Sequence, residues 1–231
     1  MVLGAPTSIV TKTKKGERTR QAILDAAHEL LLENGYEATT MRAVAERAGV
    51  SVGNAYYYFE SKEHLIQGFY ARTHREHLEV CEPLLEGEKD FATRLRIALV
   101  TKIETTEPYH RFAGVLFRTA ADPRSPLNPF SEASREVREE CTALFARVLE
   151  GSDKKLPKDL APEMPGLLWM HLMSITLFWI HDESEGRKRT RALIDRTVEL
   201  ISTLTSLARL PLTKPLRRNV IQLLGELRGE S

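Results

Sequence analysis

Four helix signals follow one another in residues 20–65, RQAILDAAHELLLENGYEATTMRAVAERAGVSVGNAYYYFESKEHL. Apolar residues recur at helical spacing over residues 18–34, and the Gly35 that follows them is typical of a helix C-terminus. Thr40 is placed to cap a second helix over residues 41–48, because a threonine hydroxyl at that position accepts a hydrogen bond from an unpaired backbone N–H. The segment therefore predicts a small helical domain near the amino terminus.

Residues 40–59 fit a helix-turn-helix unit, in which two short helices cross closely. The crossing needs a small inner residue, which Ala45 supplies, and Gly49 tolerates the positive φ of the turn. Ser51 is placed to cap the second helix, which is predicted to extend to about Tyr58. Such a unit binds DNA by laying its second helix in the major groove, with the first turn facing the base edges. The residues predicted at that end are Ser51, Val52, Gly53, Asn54, Tyr56 and Tyr57.

The tyrosines of this unit have a second interpretation, as packing residues of a small domain. Tyr58 lies on the same side as Ala55 and Phe59 and is predicted to pack there. For Tyr56 and Tyr57 both interpretations stay open. The small core between the two helices is predicted to contain Val44, Ala48, Val50, Ala55 and Phe59.

The rest of the chain predicts further helices and no confident strand, so the predicted fold class is all-α. Ser61 is placed to cap a fourth helix that reaches about Cys81, before Pro83. Pro and Gly cluster between the periodic stretches, as in residues 122–129 and 151–162. Further helices are predicted near residues 90–105, 108–120, 131–149, 165–181, 187–209 and 215–228.

The charge of the chain is balanced overall and concentrated locally. Lys and Arg total 33 against 32 Asp and Glu, which excludes a uniformly basic protein for packaging nucleic acid. Residues 1–20 carry five basic side chains and one acidic, whereas residues 63–231 carry equal numbers of both. A basic arm beside a neutral body is typical of a protein that contacts a polyanion at one end. A solvated tail is the alternative.

The sequence predicts a cytoplasmic protein without a membrane span. Cys81 and Cys141 are its two cysteines, so a disulfide scaffold is excluded. Near the amino terminus the basic residues follow the apolar stretch, which is the reverse of the order in a secretory signal. The longest apolar run, about residues 166–180, is short for a bilayer span.

The segment 20–65 resembles the DNA-binding domain of TetR-family transcriptional regulators. The most specific portion is AVAERAGVSVGNAYYYFESKEHL (43–65), where a YYYF run precedes Ser-Lys-Glu. The resemblance implies an N-terminal helix-turn-helix domain followed by a larger helical domain for ligand binding and dimerisation. We accordingly expect a flexible basic arm over residues 1–16, a DNA-binding domain over 17–62 and a regulatory domain over 63–231.

The resemblance also implies which side chains contact double-stranded operator DNA. Thr40 is expected to face phosphate, and Arg42 is placed to reach a base edge. The groove-facing positions of the family match Val52, Gly53, Asn54 and Tyr56, and its usual phosphate contacts match Tyr57 and Lys62. The position of Lys62 agrees with elementary electrostatics, because an ammonium and a helix N-terminus both favour phosphate.

The recognition turn departs from the common family pattern. Many members have Lys-Gly-Thr-Leu where this chain has Val-Gly-Asn-Ala (52–55). Val52 offers a methyl contact to thymine, and Asn54 can bond adenine or phosphate. The operator sequence is therefore expected to differ from those of members with the common pattern.

A dimer surface is expected in the last two long helices. A single helix-turn-helix reads few base pairs, so such proteins dimerise on half-sites that lie whole helical turns apart. Residues 165–181 are apolar almost all round, which predicts burial on every side, and residues 187–209 carry an apolar stripe. In the resembling family these helices form a four-helix bundle across the two-fold axis. A monomeric core helix is the alternative for residues 165–181.

The resemblance further implies a small-molecule pocket in the regulatory domain, with the fourth helix linking the pocket to DNA binding. The candidate lining residues are Tyr109, His110, Phe112, Phe117, Arg118, Trp169, His171, Met173 and Phe178. Pockets of this kind are mostly apolar with a few polar groups, so we expect a hydrophobic effector. Each apolar candidate is alternatively an ordinary core residue.

The sequence contains no P-loop, dinucleotide fingerprint, nucleophile elbow or zinc-protease motif. His74 and His77 are three apart on the fourth helix, with His64 upstream, but no third ligand completes a metal site, and these histidines are predicted to be exposed. No catalytic residue, metal or cofactor is therefore expected.

The function predicted from these features is a homodimeric repressor that binds a palindromic operator and is released by a small molecule. An activator and a regulator controlled by a protein partner, both of the same fold, stay open as alternatives. A more distant alternative is an all-α ligand carrier or enzyme with an incidental helix-turn-helix resemblance.

Overall fold

The computed structural model describes residues 14–228, which form ten α-helices and three short 3-10 turns, with no strand among them. The all-α prediction is confirmed. The helices are α1 (Lys14–Ala38), α2 (Met41–Arg47), α3 (Val52–Tyr58), α4 (Lys62–Leu85), α5 (Phe91–Thr106), α6 (His110–Ala120), α7 (Arg135–Glu150), α8 (Met164–Ile180), α9 (Lys188–Leu207) and α10 (Lys214–Arg228).

The amino-terminal arm expected over residues 1–16 lies largely outside the described residues. Its last three residues, Lys14, Lys15 and Gly16, belong to the first turn of α1 instead. Gly35 interrupts the helical conformation near the other end of α1, with φ 78° and ψ 177°. The helix stop predicted at this glycine therefore coincides with a real break in the backbone.

The described residues divide into two compact units. One ends at Phe69 and the other begins at Tyr70, so the division falls inside α4. The sequence placed the domain boundary between residues 62 and 63. The structure assigns the first two turns of α4 to the N-terminal unit, where Leu65, Ile66 and Phe69 are buried.

The core of the C-terminal unit is formed mainly by α5, α7, α8 and α9. Helix α8 packs against α7, and α9 packs against α5. Among the largest fully buried side chains of this core are Phe91, Leu95, Leu99, Phe145 and Trp179. Within residues 14–228, no helix combines the length and the hydrophobicity needed to cross a bilayer.

The buried guanidinium of Arg94 ties three segments of the C-terminal unit together. Arg94 is only 5% exposed, and its nitrogens donate to four backbone carbonyls. Two belong to Leu85, the last residue of α4, and to Glu88 beyond it, and two belong to Arg147 and Val148 in the last turn of α7, each at 2.8 Å. Because the last carbonyls of a helix lack intrahelical partners, this one side chain completes the ends of two helices.

The end of α4 differs from the sequence prediction. The helix was expected to stop before Pro83, but it continues to Leu85. Because proline has no backbone N–H, Pro83 leaves the carbonyl of Glu79 without its usual intrahelical donor, two residues before the helix ends. At the end of the helix, Arg94 donates to the carbonyl of Leu85.

The prediction that the histidines of α4 are exposed is wrong for two of the three. His74 and His77 are 2% and 1% exposed, whereas His64 is exposed. The imidazole of His77 lies 3.0 Å from both the carbonyl oxygen of Ala98 and the hydroxyl of Thr101 on α5. Burial lowers the pKa of His77 to about 3 and that of His74 to about 4, so both rings are neutral at neutral pH.

Replacing Arg94 by Met is expected to destabilise the C-terminal unit by about 3 kcal/mol or more, because four carbonyls lose a charged donor and part of that backbone is buried. Urea unfolding followed by tryptophan fluorescence measures this effect, since both tryptophans, Trp169 and Trp179, are buried in α8. The matched control is Arg96→Met on the same helix, which removes one partly exposed ion pair to Asp195 and should cost about 1 kcal/mol or less. An equal decrease in the free energy of unfolding in the two variants would contradict the role assigned to Arg94.

Candidate nucleic-acid interface

Helices α2 and α3 form the predicted helix-turn-helix. The hydroxyl of Thr40 caps α2 by accepting from the backbone N–H of Ala43 at 3.2 Å, and Ser51 caps α3 by accepting from Asn54 at 3.1 Å. Gly49 between them has φ 67°, in the left-handed region that favours glycine. These local interactions fix where each helix begins, and they are the signals that the sequence carried.

The inner side of the unit is closed by small and apolar side chains. Val44 and Ala45 of α2, Ala55 of α3 and the following Phe59 are fully buried. Ala48 and Val50, which the sequence also assigned to this core, are half-buried. Tyr58 is half-buried as well, with its ring edge-on to that of Tyr57 at a centroid distance of 5.2 Å.

The outer side of α3 presents its side chains to solvent. Tyr57 is 74% exposed, Tyr56 48% and Val52 40%, although Ala55 between them is fully buried. The remaining predicted DNA-contacting residues that are exposed are Thr40, Arg42, Ser51, Gly53 and Asn54. This seven-residue helix therefore has one buried side and one side exposed to solvent.

Lys62, the ninth predicted contact, has a partner within the N-terminal unit. Its ammonium donates to the backbone carbonyl of Tyr36 at 2.6 Å and lies 3.9 Å from the centre of the Tyr36 ring. The Tyr36 hydroxyl in turn donates to the carboxylate of Glu63. Lys62 is thus held at the start of α4, and Tyr36 is a positioning residue that the sequence did not reveal because it lies 26 positions away.

An ion-pair cluster connects α2 to α1. Arg47 lies 3.1 Å from a carboxylate oxygen of Glu29 and 2.8 Å from one of Glu33. The three side chains are substantially exposed, so solvent screens each pair and its contribution to stability is small. Its geometric effect is to fix α2 against α1 on the side away from the core.

The C-terminal end of α3 depends on a close contact with α4. The buried ring of Phe59 lies against Gly68, where a built Cβ would come within 2.6 Å of the ring carbon Cε1. The guanidinium of Arg20 on α1 covers the same ring, with its Cζ 5.1 Å from the ring centre. A side chain at position 68 would therefore push the ring or the helix away.

The candidate effector residues are distributed over several places in the C-terminal unit. His110 lies 3.0 Å from the carbonyl oxygen of Trp179 and edge-on to its ring, which joins the start of α6 to α8. Tyr109 contacts Glu76 of α4 through its hydroxyl at 3.4 Å. His171 pairs with the hydroxyl of Thr197 on α9 at 3.1 Å.

The other effector candidates range from the core to the surface. Phe112 and Trp169 are buried, and Trp169 lies edge-on to Phe130. Phe117 and Met173 are half-buried. Arg118 and Phe178 are exposed, so these two side chains do not line the interior of the unit. The described residues contain no group of three or more His, Cys, Asp or Glu side chains that could hold a metal ion.

Helices α8 and α9 carry large apolar side chains that are exposed to solvent. Helix α8 buries one side in the core, including Trp169, Leu172 and Trp179, yet its other side is also apolar. The side chains on this surface are between 36% and 56% exposed and comprise Met170, Leu177 and Phe178 of α8 and Leu200, Leu204 and Leu207 of α9. An exposed set of large apolar residues on two long helices is typical of a protein–protein interface.

Each of the two units contains a segment that matches a known protein family. Residues 23–68 match the family "Bacterial regulatory proteins, tetR family", and residues 94–220 match "Tetracyclin repressor-like, C-terminal domain". The HTH-type transcriptional repressor KstR of Rhodococcus jostii is 57% identical over 53 residues, which are 23% of this chain and 25% of that protein. This match thus spans about a quarter of the relative. The repressor BepR of Brucella suis is 25% identical over 181 residues, 75% of this chain and 85% of BepR.

Solved structures share the fold at low sequence identity. A putative TetR-family transcriptional regulator from Syntrophomonas wolfei matches with a TM-score of 0.66 at 18% identity, covering 82% of this chain and 97% of that one. FadR from Bacillus subtilis, solved in complex with stearoyl-CoA, matches with a TM-score of 0.62 at 18% identity, covering 79% and 97%.

Replacing Gly68 by Ala is expected to destabilise the N-terminal unit by about 1–3 kcal/mol, because the added methyl overpacks against the buried Phe59 ring. Gly53→Ala is the matched control, since a Cβ at position 53 meets nothing within 4 Å and alanine favours the helix by up to about 1 kcal/mol. Hydrogen exchange of the α1–α3 amides reports the stability of this unit separately from the other. Unchanged protection in Gly68→Ala would show that the contact with Phe59 does not constrain α4.

Proposed function

Because the chain belongs to the TetR family of bacterial regulatory proteins, we propose that it is a ligand-responsive transcriptional repressor that binds a palindromic operator as a homodimer. The observation that carries the proposal is the difference between the two sides of α3. Ala55 on one side is buried, whereas Val52, Tyr56 and Tyr57 on the other are exposed to solvent. A helix of this kind fits the major groove with its exposed side chains toward the bases. As a regulator of bacterial genes, the protein is proposed to act in the cytoplasm.

The exposed side chains have different proposed roles. Val52 is suited to contact a thymine methyl, and Asn54 and Arg42 can form hydrogen bonds with base edges. Tyr57 can donate a hydrogen bond to phosphate without adding charge, whereas Lys62 adds charge near the N-terminus of α4. Thr40 is already engaged in capping α2, so its proposed phosphate contact uses the remaining capacity of its hydroxyl.

The proposed dimer is formed by the apolar surface of α8 and α9. One recognition helix reads too few base pairs for a specific site, so two copies have to be held at a fixed spacing. Burial of the exposed Leu177, Phe178, Leu200 and Leu204 on both copies would contribute about 25 cal/mol for each Å² of apolar surface removed from water.

The proposed response to a small molecule requires that the effector prefers a conformation of the dimer that does not match the operator. Couplings of this kind are typically about 1–3 kcal/mol. Helix α4 contributes residues to both units, so we propose that it transmits the occupancy of the C-terminal unit to the DNA-binding unit.

Selection of bound duplexes from a random pool tests the proposed function directly. We expect enrichment of a palindrome whose half-sites lie a whole number of helical turns apart. A reporter gene placed behind that sequence should be silenced by the protein in cells. Increased expression of the reporter would instead make the protein an activator. Failure of any duplex to be enriched, including at low salt and with cell extract added, would refute DNA binding.

Two variants of the interface are expected to differ in their dependence on salt. Lys62→Ala should weaken binding to all sequences and reduce the slope of log K against log salt by about 0.9 for each lost phosphate contact, hence about 2 per dimer. Tyr57→Ala should weaken binding by about 2 kcal/mol per dimer with an unchanged slope, because a phenol displaces no counterion. Fluorescence anisotropy over a salt series on the selected operator measures both quantities.

Controls for these variants come from the same chain. Lys89→Ala removes an exposed lysine of the C-terminal unit and should leave affinity and slope unchanged. Asn54→Ala should change the base preference recovered by selection, whereas the Lys62 and Tyr57 variants should not. A shifted consensus in Tyr57→Ala would contradict its assignment to phosphate.

Replacing Leu204 by Glu is expected to separate the dimer, because burial of two unpaired carboxylates disfavours association by about 3 kcal/mol or more. Light scattering after gel filtration measures the mass, and the variant should also lose tight binding to the palindrome. The matched control is Val80→Glu, which alters an exposed apolar residue of a different helix, α4, and should stay dimeric. A dimer that persists in Leu204→Glu would place the interface elsewhere.

A further inference from the structure

A phenylalanine in the segment between α6 and α7 is largely exposed to solvent. Phe130 is 66% exposed, which makes it the most exposed aromatic residue among those described in the C-terminal unit. Its ring lies edge-on to that of Trp169 on α8, with 5.3 Å between the ring centroids. Single exposed apolar side chains are common, so the meaning of this one depends on how it is held and on what it adjoins.

Hydrogen bonds fix the backbone on both sides of Phe130. The guanidinium of Arg138 on α7 donates to the carbonyl of Pro129 at 2.7 Å and to that of Ser131 at 3.1 Å. The N–H of Phe130 donates to the side-chain oxygen of Asn128 at 2.9 Å. The ring is therefore presented to solvent by a backbone of defined conformation.

The ring of Phe130 adjoins the apolar surface of α8 and α9 on the side away from α9. Successive residues of a helix project about 100° apart, so Met170 and His171 project about 100° and 200° away from Trp169. His171 lies 3.1 Å from the hydroxyl of Thr197 on α9, whereas Trp169 contacts Phe130. The exposed Met170 projects between these two sides of α8. Phe130 thus extends the apolar surface across α8.

The apolar surface of α8 and α9 is small for a permanent dimer. A fully buried aromatic side chain removes roughly 150–250 Å² from water, and on that scale the six large side chains of this surface, 36–56% exposed, supply roughly 400–700 Å² per copy. Obligate homodimers bury about 1,000 Å² or more per partner, of which about 65% is apolar. The six side chains reach the resulting requirement of about 650 Å² only at the top of their range. Phe130 adds roughly 100–160 Å² on the same scale.

We propose that Phe130 packs against the second copy of the chain in the homodimer, at the border of the interface formed by α8 and α9. This contact rests on the proposed homodimer and adds to it a residue outside the two helices. A second copy that covers Met170 also reaches Phe130, because Met170 directly follows Trp169, the residue that the ring contacts. An isologous interface uses the same surface on both copies, so each dimer contains two such rings.

The fixed backbone favours this contact energetically. Aromatic residues are enriched at protein–protein interfaces, and binding is weakened when the groups that form the contact have to be ordered first. Because Arg138 and Asn128 already hold the backbone around Phe130, less conformational freedom is lost when the second copy binds.

Photo-crosslinking of the full-length protein tests the contact directly. The photoreactive residue p-benzoylphenylalanine replaces Phe130, and affinity-tagged copies are mixed with untagged ones before irradiation. We expect a covalent dimer that joins a tagged to an untagged copy, with the linked peptide in α8, in α9 or in the segment between α6 and α7. The same residue in place of Leu84, an exposed position of α4, is the matched control and should link no copies.

Replacing Phe130 by Ala should raise the dissociation constant of the dimer about tenfold or more, because two buried rings are lost from each dimer. Phe130→Leu keeps much of the apolar surface and should raise it less. Leu84→Ala is the matched control and should leave it unchanged. Analytical ultracentrifugation over a concentration series measures the constant, and circular dichroism should show the same helix content in all variants.

Two results would overturn the proposed contact. One is a dimer in which position 130 links no second copy, which would leave the ring to its own chain or to a different protein. The other is an unchanged dissociation constant in Phe130→Ala. Failure of the dimer itself is recognised separately, because the wild type would then be monomeric at every concentration. None of these measurements needs DNA, so they are also independent of the operator selection.

Discussion

The contact between the ring of Phe59 and the backbone of Gly68 is the constraint on which the DNA-binding surface depends. Helix α3 has only seven residues, and a helix of that length is not stable in water without packing. Its C-terminal end is held because Phe59 fills the space that the missing side chain of Gly68 leaves, with Arg20 over the same ring. With α3 anchored in this way, its opposite side can carry tyrosines in solvent instead of burying them.

Polar side chains have different structural roles in the two units. In the N-terminal unit, hydroxyls and carboxylates at the surface define helix ends and fix α2 to α1, and each interaction is worth little alone. In the C-terminal unit, the guanidinium of Arg94 and the imidazole of His77 are buried and bonded to backbone carbonyls, where removal of a partner is costly.

The sequence predicted well what depends on neighbours along the chain. Thr40, Gly49 and Ser51 act within three or four residues, so the beginnings of α2 and α3 could be located from spacing alone. Features that depend on distant segments could not be found in this way. Burial of His74 and His77 requires the faces of α5 and α7, and the position of Lys62 is fixed by Tyr36, 26 positions earlier. The exposed face of α8 could not be predicted from hydrophobic periodicity either. A helix that is apolar on all sides has no pattern that indicates which side packs against the core.

Arg94 also has a consequence for the order in which the chain is made. Two of its carbonyl partners precede it by at most nine positions, but the other two follow it by 53 and 54. A ribosome adds roughly 5–20 residues per second, so the guanidinium waits several seconds for Arg147 and Val148 to be synthesised. During that interval the guanidinium of Arg94 has only two of its four carbonyl acceptors, those of Leu85 and Glu88. Closure of the C-terminal unit is therefore a late event of biosynthesis, completed only when α7 has left the exit tunnel.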